Sequence, residues 1–209
     1  MVANALTLSI AQIVPVTEAE GPGKRFALWF QGCPLRCPGC CNPEFLSFRG
    51  GTPTPLGVVL EQLDEAVLKF GIEGISLLGG EPFAHAGGGV AVASAARERG
   101  LSVMIYSGYT LDEIKVQPDP AVHALLKMTD VLVDGPYDRE QPDTQRRWIG
   151  STNQHVHFLS DRYRPDEPCW VQRNTLEIRV RDGQIVVNGF PAPAAVGLWK
   201  PNWQRKGSA

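Results

Sequence analysis

Between residues 25 and 134 short apolar runs alternate with helical stretches, and this rhythm limits how the chain can fold more than any other feature. The run Arg25-Phe26-Ala27-Leu28-Trp29-Phe30 is apolar on both faces, as a strand buried in a parallel sheet is. Leu56, Val59, Leu60, Leu63 and Val67 then recur at helical spacing, with Glu61, Asp64, Glu65 and Lys69 opposite them. That pattern predicts an amphipathic helix over 55–70, ended by Gly71. A buried strand (74–78), an alanine-rich helix (90–99) stopped by Gly100 and a third strand (101–106) follow. Two short helices (111–116 and 121–128) and a strand over 130–134 come next. An opening strand at 6–16 precedes this series, and a polar loop at 138–154 leads to one more strand at 155–159. Repeated βα alternation implies a parallel sheet with helical crossovers, either open or part of a (β/α) barrel.

The character of the chain changes after Ser160. Residues 161–168 are charged and contain proline, whereas Thr175-Leu176-Glu177-Ile178-Arg179-Val180 alternates, turns at Asp182-Gly183 and returns as Gln184-Ile185-Val186-Val187. This predicts a β-hairpin. The expected organisation is a core domain at 1–160 and a linker, hairpin and tail at 161–209, with Trp199 and Trp203 of the tail packed on the body. A length of 209 residues, 43% of them hydrophobic, suffices for one sizeable core. The 20 Lys and Arg against 22 Asp and Glu give a formal charge of −2, which provides no global field for nucleic acid or an anionic membrane. No apolar run reaches the roughly 18 residues of a bilayer span, and Met1-Val2-Ala3-Asn4 lacks the basic start of a secretory signal, so a cytoplasmic protein is expected.

Reactive side chains cluster at the strand ends. Directly after 25–30 comes Cys33-Pro34-Leu35-Arg36-Cys37-Pro38-Gly39-Cys40, in which the prolines forbid a helix and Gly32 and Gly39 permit the angles that wrapping a metal centre requires. Four of the five cysteines lie within 33–41, a poor disulfide framework but a good set of soft ligands with a coordination position left over. A structural zinc site, with Cys41 or Cys169 as fourth ligand, is the plain alternative, although zinc sites usually pair CxxC units. Cys41 reads as an unligated thiol near the site, and Cys169, beside Trp170, as a packing residue. Gly79-Gly80-Glu81-Pro82, Ser107-Gly108 and Asp134-Gly135 also follow strands. In sheets built from βαβ units these positions share the carboxyl edge, where ligands bind. Taken singly, Gly-Gly before proline marks only a turn, and Asp134 only a cap. His85, His123, His155 and His157 share no ligand spacing, and Arg139, Arg146, Arg147 and Trp148 read as a solvated loop.

The CxxxCxxC spacing, the GGEP stretch on the next strand and the βα pattern together resemble the radical S-adenosylmethionine (SAM) superfamily over residues 20–160. Within it, Gly21-Pro22-Gly23-Lys24-Arg25, Gln31-Gly32 with the cysteine stretch, Asn42-Pro43-Glu44, Tyr106-Ser107-Gly108-Tyr109-Thr110, residues 130–136 and Gly150-Ser151-Thr152-Asn153-Gln154 resemble the family of anaerobic ribonucleotide reductase activating proteins. The resemblance implies an α/β fold, a partial (β/α) barrel of the radical SAM type with a C-terminal β-hairpin appendage. It implies that Cys33, Cys37 and Cys40 hold three irons of a [4Fe-4S] cluster and that SAM chelates the fourth. Gly79, Gly80 and Glu81 then meet the SAM amino group, with Gly80 admitting the ligand closely. Ser107 contacts its sugar or carboxylate, and Asp134 lies near the carboxylate, directly or through a cation.

The activity implied is reductive cleavage of SAM to a 5′-deoxyadenosyl radical that creates a glycyl radical on anaerobic ribonucleotide reductase, with flavodoxin or ferredoxin as electron donor. No catalytic side chain is implied beyond the cluster and SAM site. Two alternatives stay open: a radical SAM enzyme acting on another glycyl radical enzyme, a peptide or a small molecule, and a non-enzymatic zinc or electron-transfer module. The sequence departs from the superfamily at Gly39, where an aromatic residue often lies near adenine, and at Cys41, where relatives often carry His or an aromatic residue. The resemblance gives residues 161–209 no role.

Overall fold

Unbroken burial along Arg25–Phe30 and from Gly74 to Leu78 places these strands in the interior of a sheet, where both faces must be covered. The computed structural model describes residues 6–181 and 184–189. The hairpin turn expected at Asp182-Gly183, the tryptophan-bearing tail and the first residues lie outside them. In chain order the elements are β1 (Thr7–Thr17), β2 (Arg25–Phe30), β3 (Thr52–Pro55), α1 (Leu56–Phe70), β4 (Gly74–Gly79), α2 (Ala86–Glu98) and β5 (Ser102–Tyr106). There follow α3 (Leu111–Val116), α4 (Pro120–Met128), β6 (Val131–Asp134), β7 (His155–Phe158), β8 (Leu176–Arg181) and β9 (Gln184–Gly189).

The first seven strands form one sheet in the order β3-β1-β2-β4-β5-β6-β7. Only β2, β4, β5 and β6 run parallel to one another; β1 pairs antiparallel with β2 and β3, and β7 pairs antiparallel with β6. The partial (β/α) barrel expected from the resemblance is therefore replaced by an open, seven-stranded mixed sheet. Barrel closure needs a continuous run of parallel strands. Here the parallel run ends after β6, and antiparallel strands take both flanks.

Two elements differ in extent from the expectation. Strand β3 carries Pro53 and Pro55, which an edge strand tolerates because one side needs no ladder donors. Helix α2 begins at Ala86, through Gly87-Gly88-Gly89, because tertiary contact outweighs poor helix propensity: a Cβ on Gly89 would stand 2.8 Å from Leu125.

Alternation along the strands sends two sets of side chains to opposite faces. Phe26, Leu28, Ile75, Leu77 and Ile105 pack with Val59, Leu63, Val92 and Leu125 of the helices. The other face presents Ala27, Trp29, Leu78, Met104 and Val133, and among the described residues no α-helix covers it. Trp148, Ile149 and Trp170 cover its Met104, Val131 and Val133, with Tyr163 and Cys169 beside them, while Phe45 and Tyr106 pack with Ala27, Trp29 and Leu78. Trp170 meets Trp148 and Phe158 edge to face at 5.2 and 5.0 Å. Strands β8 and β9 form a separate two-stranded sheet. It is held to the start of the chain by Glu18 N–H on Glu177 (2.9 Å), Asn188 on Thr17 (2.9 Å) and Gly189 N–H on Glu20 (2.7 Å). Among the described residues no helix is long and apolar enough to cross a membrane.

Candidate functional site

The four parallel strands end at one edge, and backbone hydrogen bonds stitch their exits together. Gly80 N–H donates to Phe30 O (2.8 Å), Glu81 N–H to Gly32 O (3.0 Å) and Ser107 N–H to Val133 O (2.9 Å). The cysteine loop leaves β2 and returns to the same place, for Gly32 N–H bonds Phe45 O at 2.8 Å and Cys33 N–H bonds Leu46 O at 3.1 Å. The buried Gln31 amide closes the loop by donating to Glu44 O (3.0 Å) and Ser47 O (2.8 Å). Within it Gly39 takes φ +75 and Arg36 φ +52, and Cys40 N–H turns back onto Cys37 O.

None of the five cysteines is in a disulfide; Cys33 is buried, Cys37 and Cys40 are half-buried and Cys41 is exposed. Burial pushes the Cys33 and Cys37 thiols above their ordinary value, and Glu81 and a neighbouring thiolate add to this. Backbone N–H groups oppose it, from Leu35 and Arg36 at Cys33 and from Tyr137 at Cys37. This donor set fits an iron–sulfur cluster: soft sulfurs on an irregular loop, supplied with N–H donors. Among the described residues no three His, Cys, Asp or Glu side chains come together tightly enough to share one ion. Ligands that each hold a different iron stand further apart than ligands of a single metal.

Beside the loop, Glu81 is buried and its carboxylate receives three donors. These are Phe83 N–H (3.0 Å) and Ser107 Oγ–H (2.9 Å) at Oε1, and Gly108 N–H (2.8 Å) at Oε2. Burial raises its pKa to about 7, against the lowering effect of those hydrogen bonds. Ser107 in turn accepts from Tyr109 N–H at 3.0 Å. Leu35 of the cysteine loop lies on Gly108, where a Cβ would come within 2.6 Å of its side chain. Cysteine loop, Glu81 and Ser107 thus form one packed unit.

The glycines serve the protein's own backbone. A Cβ on Gly80 would stand 2.0 Å from Gly32 O, and one on Gly79, at φ +102, would stand 2.5 Å from Phe30 N. Asp134 is buried on a different contact set: it accepts from Leu111 N–H (2.5 Å) at the start of α3. His157 Nε2 and His155 Nδ1 approach its oxygens to 3.1 and 3.5 Å. Its Oδ1 and His157 Nε2 nevertheless make no hydrogen bond.

Several site residues were given no role by the sequence. Gln31 acts as the clamp described above, and His85 stacks on Phe30 at 5.2 Å with Nε2 3.3 Å from Gly32 O; its nearness to GGEP was the only hint. The expected solvated loop around Arg146, Arg147 and Trp148 is in part interior. Trp148 is 1% exposed and Arg147 9%, because the uncovered sheet face needs a lid and Trp148 supplies it.

A family model described as a 4Fe-4S single cluster domain matches residues 19–157. The chain is 33% identical over 153 residues to the anaerobic ribonucleoside-triphosphate reductase-activating protein of Vibrio cholerae, covering 70% of this chain and 95% of that protein. Against the protein of the same name from Escherichia coli K12 the identity is 32% over 155 residues, with coverage of 71% and 97%. Against that of Enterobacteria phage T4 it is 30% over 154 residues, with coverage of 72% and 94%. With the cysteine loop, Glu81 and Ser107 gathered at one sheet edge inside the matched region, the chain belongs to the family of anaerobic ribonucleoside-triphosphate reductase-activating proteins.

Proposed function

We propose that this chain activates an anaerobic ribonucleotide reductase by placing a radical on one of its glycines, using a [4Fe-4S] cluster and SAM. The observation that carries this reading is the direct link from the cysteine loop through Leu35 and Gly108 to Glu81 and Ser107. The bound pair supplies reductive cleavage of SAM to a 5′-deoxyadenosyl radical, the species that takes hydrogen from the glycine α-carbon.

The chain's own residues hold and shield. Cys33, Cys37 and Cys40 would hold three irons, and since Cys33 and Cys37 favour the thiol form, loading releases protons. Glu81 has three of its roughly four acceptor positions filled and keeps one for the SAM ammonium. An arriving cation favours the ionised carboxyl, so a group poised at about 7 can charge on binding. Ser107 fixes the Glu81 rotamer, and Gly79 and Gly80 let β2 and β4 close on each other. Asp134, beside the start of α3, is assigned to the SAM carboxylate side of the pocket. A small acidic redox protein, flavodoxin or ferredoxin, is the electron donor in this reading. The cytoplasm is the compartment, since thiols there stay reduced.

Anaerobic reconstitution, followed by dithionite and SAM, is expected to give about four irons per chain and release of 5′-deoxyadenosine. Adding the reductase should give a glycine-centred radical by electron paramagnetic resonance. SAM cleavage without that radical would shift the target to another glycyl radical enzyme, a peptide or a small molecule. Persistence of cleavage in Cys37→Ala would refute the reading.

A further inference from the structure

Trp148 is a backbone outlier. Its φ is +64, a conformation that a bulky residue adopts only when its surroundings hold it there, and it is 1% exposed. The groups that hold it come largely from residues 170–174, beyond the end of the family match at residue 157. Asn174 Oδ1 accepts the Trp148 N–H at 2.6 Å, Trp170 O accepts the Arg147 N–H at 3.2 Å, and Gln172 Oε1 accepts from the Arg147 guanidinium at 2.8 Å. That guanidinium lies 4.2 Å from the Trp148 ring centroid.

The turn leads directly into Gly150-Ser151-Thr152-Asn153-Gln154, whose side chains grip the loop after β6. Gln154 donates to Gly135 O (3.0 Å), Asn153 to Pro136 O (2.7 Å), and Ser151 Oγ accepts from Asp138 N–H (3.1 Å). That gripped loop is the one over the cysteines. The Arg139 side chain crosses Gly39, between Cys37 and Cys40, where a Cβ would come within 2.5 Å of it, and the Tyr137 backbone N–H works against burial to lower the Cys37 thiol's pKa.

We propose that Trp170, Gln172 and Asn174 are positioning residues for the cluster: they hold the left-handed turn at Trp148, and the Gly150–Gln154 segment passes that placement to the 135–139 loop, which packs through Arg139 on Gly39 between Cys37 and Cys40. This rests on the cluster assignment above. N–H groups on cluster sulfurs stabilise the reduced state and so raise the reduction potential. The C-terminal segment would thereby set how readily the cluster accepts an electron.

The test compares wild type, Asn174→Ala and Asn174→Asp as full-length chains. In the cluster-free proteins, hydrogen exchange at Tyr137 and Asp138 is expected to be several-fold faster in N174A and near wild type in N174D, which keeps the acceptor. In the reconstituted proteins, a redox titration is expected to show a more negative potential for N174A and recovery in N174D. Gln172→Ala, which loosens the same turn through Arg147, gives a smaller change of the same sign. Faster exchange confined to residues 170–189 overturns the proposal, as does an unchanged potential in both N174A and Q172A. The exchange measurement needs neither SAM nor reductase, so its outcome is separable from the proposed function.

Discussion

Gly80 shows how little space separates the cysteine loop from the sheet. A methyl group there would overlap Gly32 O, and backbone on both sides leaves nothing flexible to move. Gly80→Ala is therefore expected to cost about 2–3 kcal/mol, seen as a lower urea midpoint, and to reduce the iron held after reconstitution. Glu81 carries a different constraint. In Glu81→Gln the amide N–H₂ group would face either the Gly108 N–H or, flipped, the Phe83 N–H and the Ser107 hydroxyl. At least one donor is left unpaired, at a cost of about 1–3 kcal/mol, and on the proposed contact with SAM the affinity for SAM should fall as its ammonium loses a counter-charge. Calorimetric titration with SAM on the reconstituted protein checks this. The convergence of Glu81 and Ser107 was legible in the sequence because both follow apolar runs that can only be buried strands. Gln31 and Tyr137 were not, because their contacts run to main-chain carbonyls or from a main-chain N–H, and those leave no imprint on residue pattern.

At the scale of elements, the hairpin is held at a titrating contact. Glu20 is buried and its pKa is raised to about 8, chiefly by desolvation, with Glu177 adding to it and the Gly189 N–H, Asn188 and Arg179 opposing. A carboxyl raised on folding binds its proton more tightly in the folded state. Its favourable contribution is therefore complete below about pH 4.5 and is lost progressively as pH climbs to about 8. Urea midpoints should fall between pH 5 and 8, and Glu20→Gln, neutral and able to accept from Gly189, should flatten that dependence. Periodicity revealed the hairpin and every strand with an apolar run, but it failed at β3, whose Thr-Pro-Thr-Pro sequence looks like a loop. It also failed at the first turn of α2, where three glycines concealed a helix fixed by contact with Leu8 and Leu125. Strand direction is the deeper omission. Burial on both faces is the same for parallel and antiparallel neighbours, so the flanks that make this an open sheet and not part of a barrel were invisible.

Across the whole molecule, the sheet has two differently built coverings. Helices cover one face, whereas Trp148, Ile149 and Trp170 cover the β5–β6 part of the other, so residues beyond the family match contribute to a core they help to close. Trp170→Ala is expected to cost about 3–5 kcal/mol, measured by chemical denaturation, which is well above a surface substitution. The cysteine loop adds to the second covering through Phe45, which packs with Trp29 and Leu78. Its two ends are pinned side by side at the tip of β2, and the Gln31 amide bridges them. Ties of this kind, all within the protein, leave the strands beneath the loop paired whether or not its cysteines hold the proposed cluster. The scaffold can therefore be complete before any iron arrives, and a cluster destroyed by oxygen can be rebuilt on a chain that never unfolded.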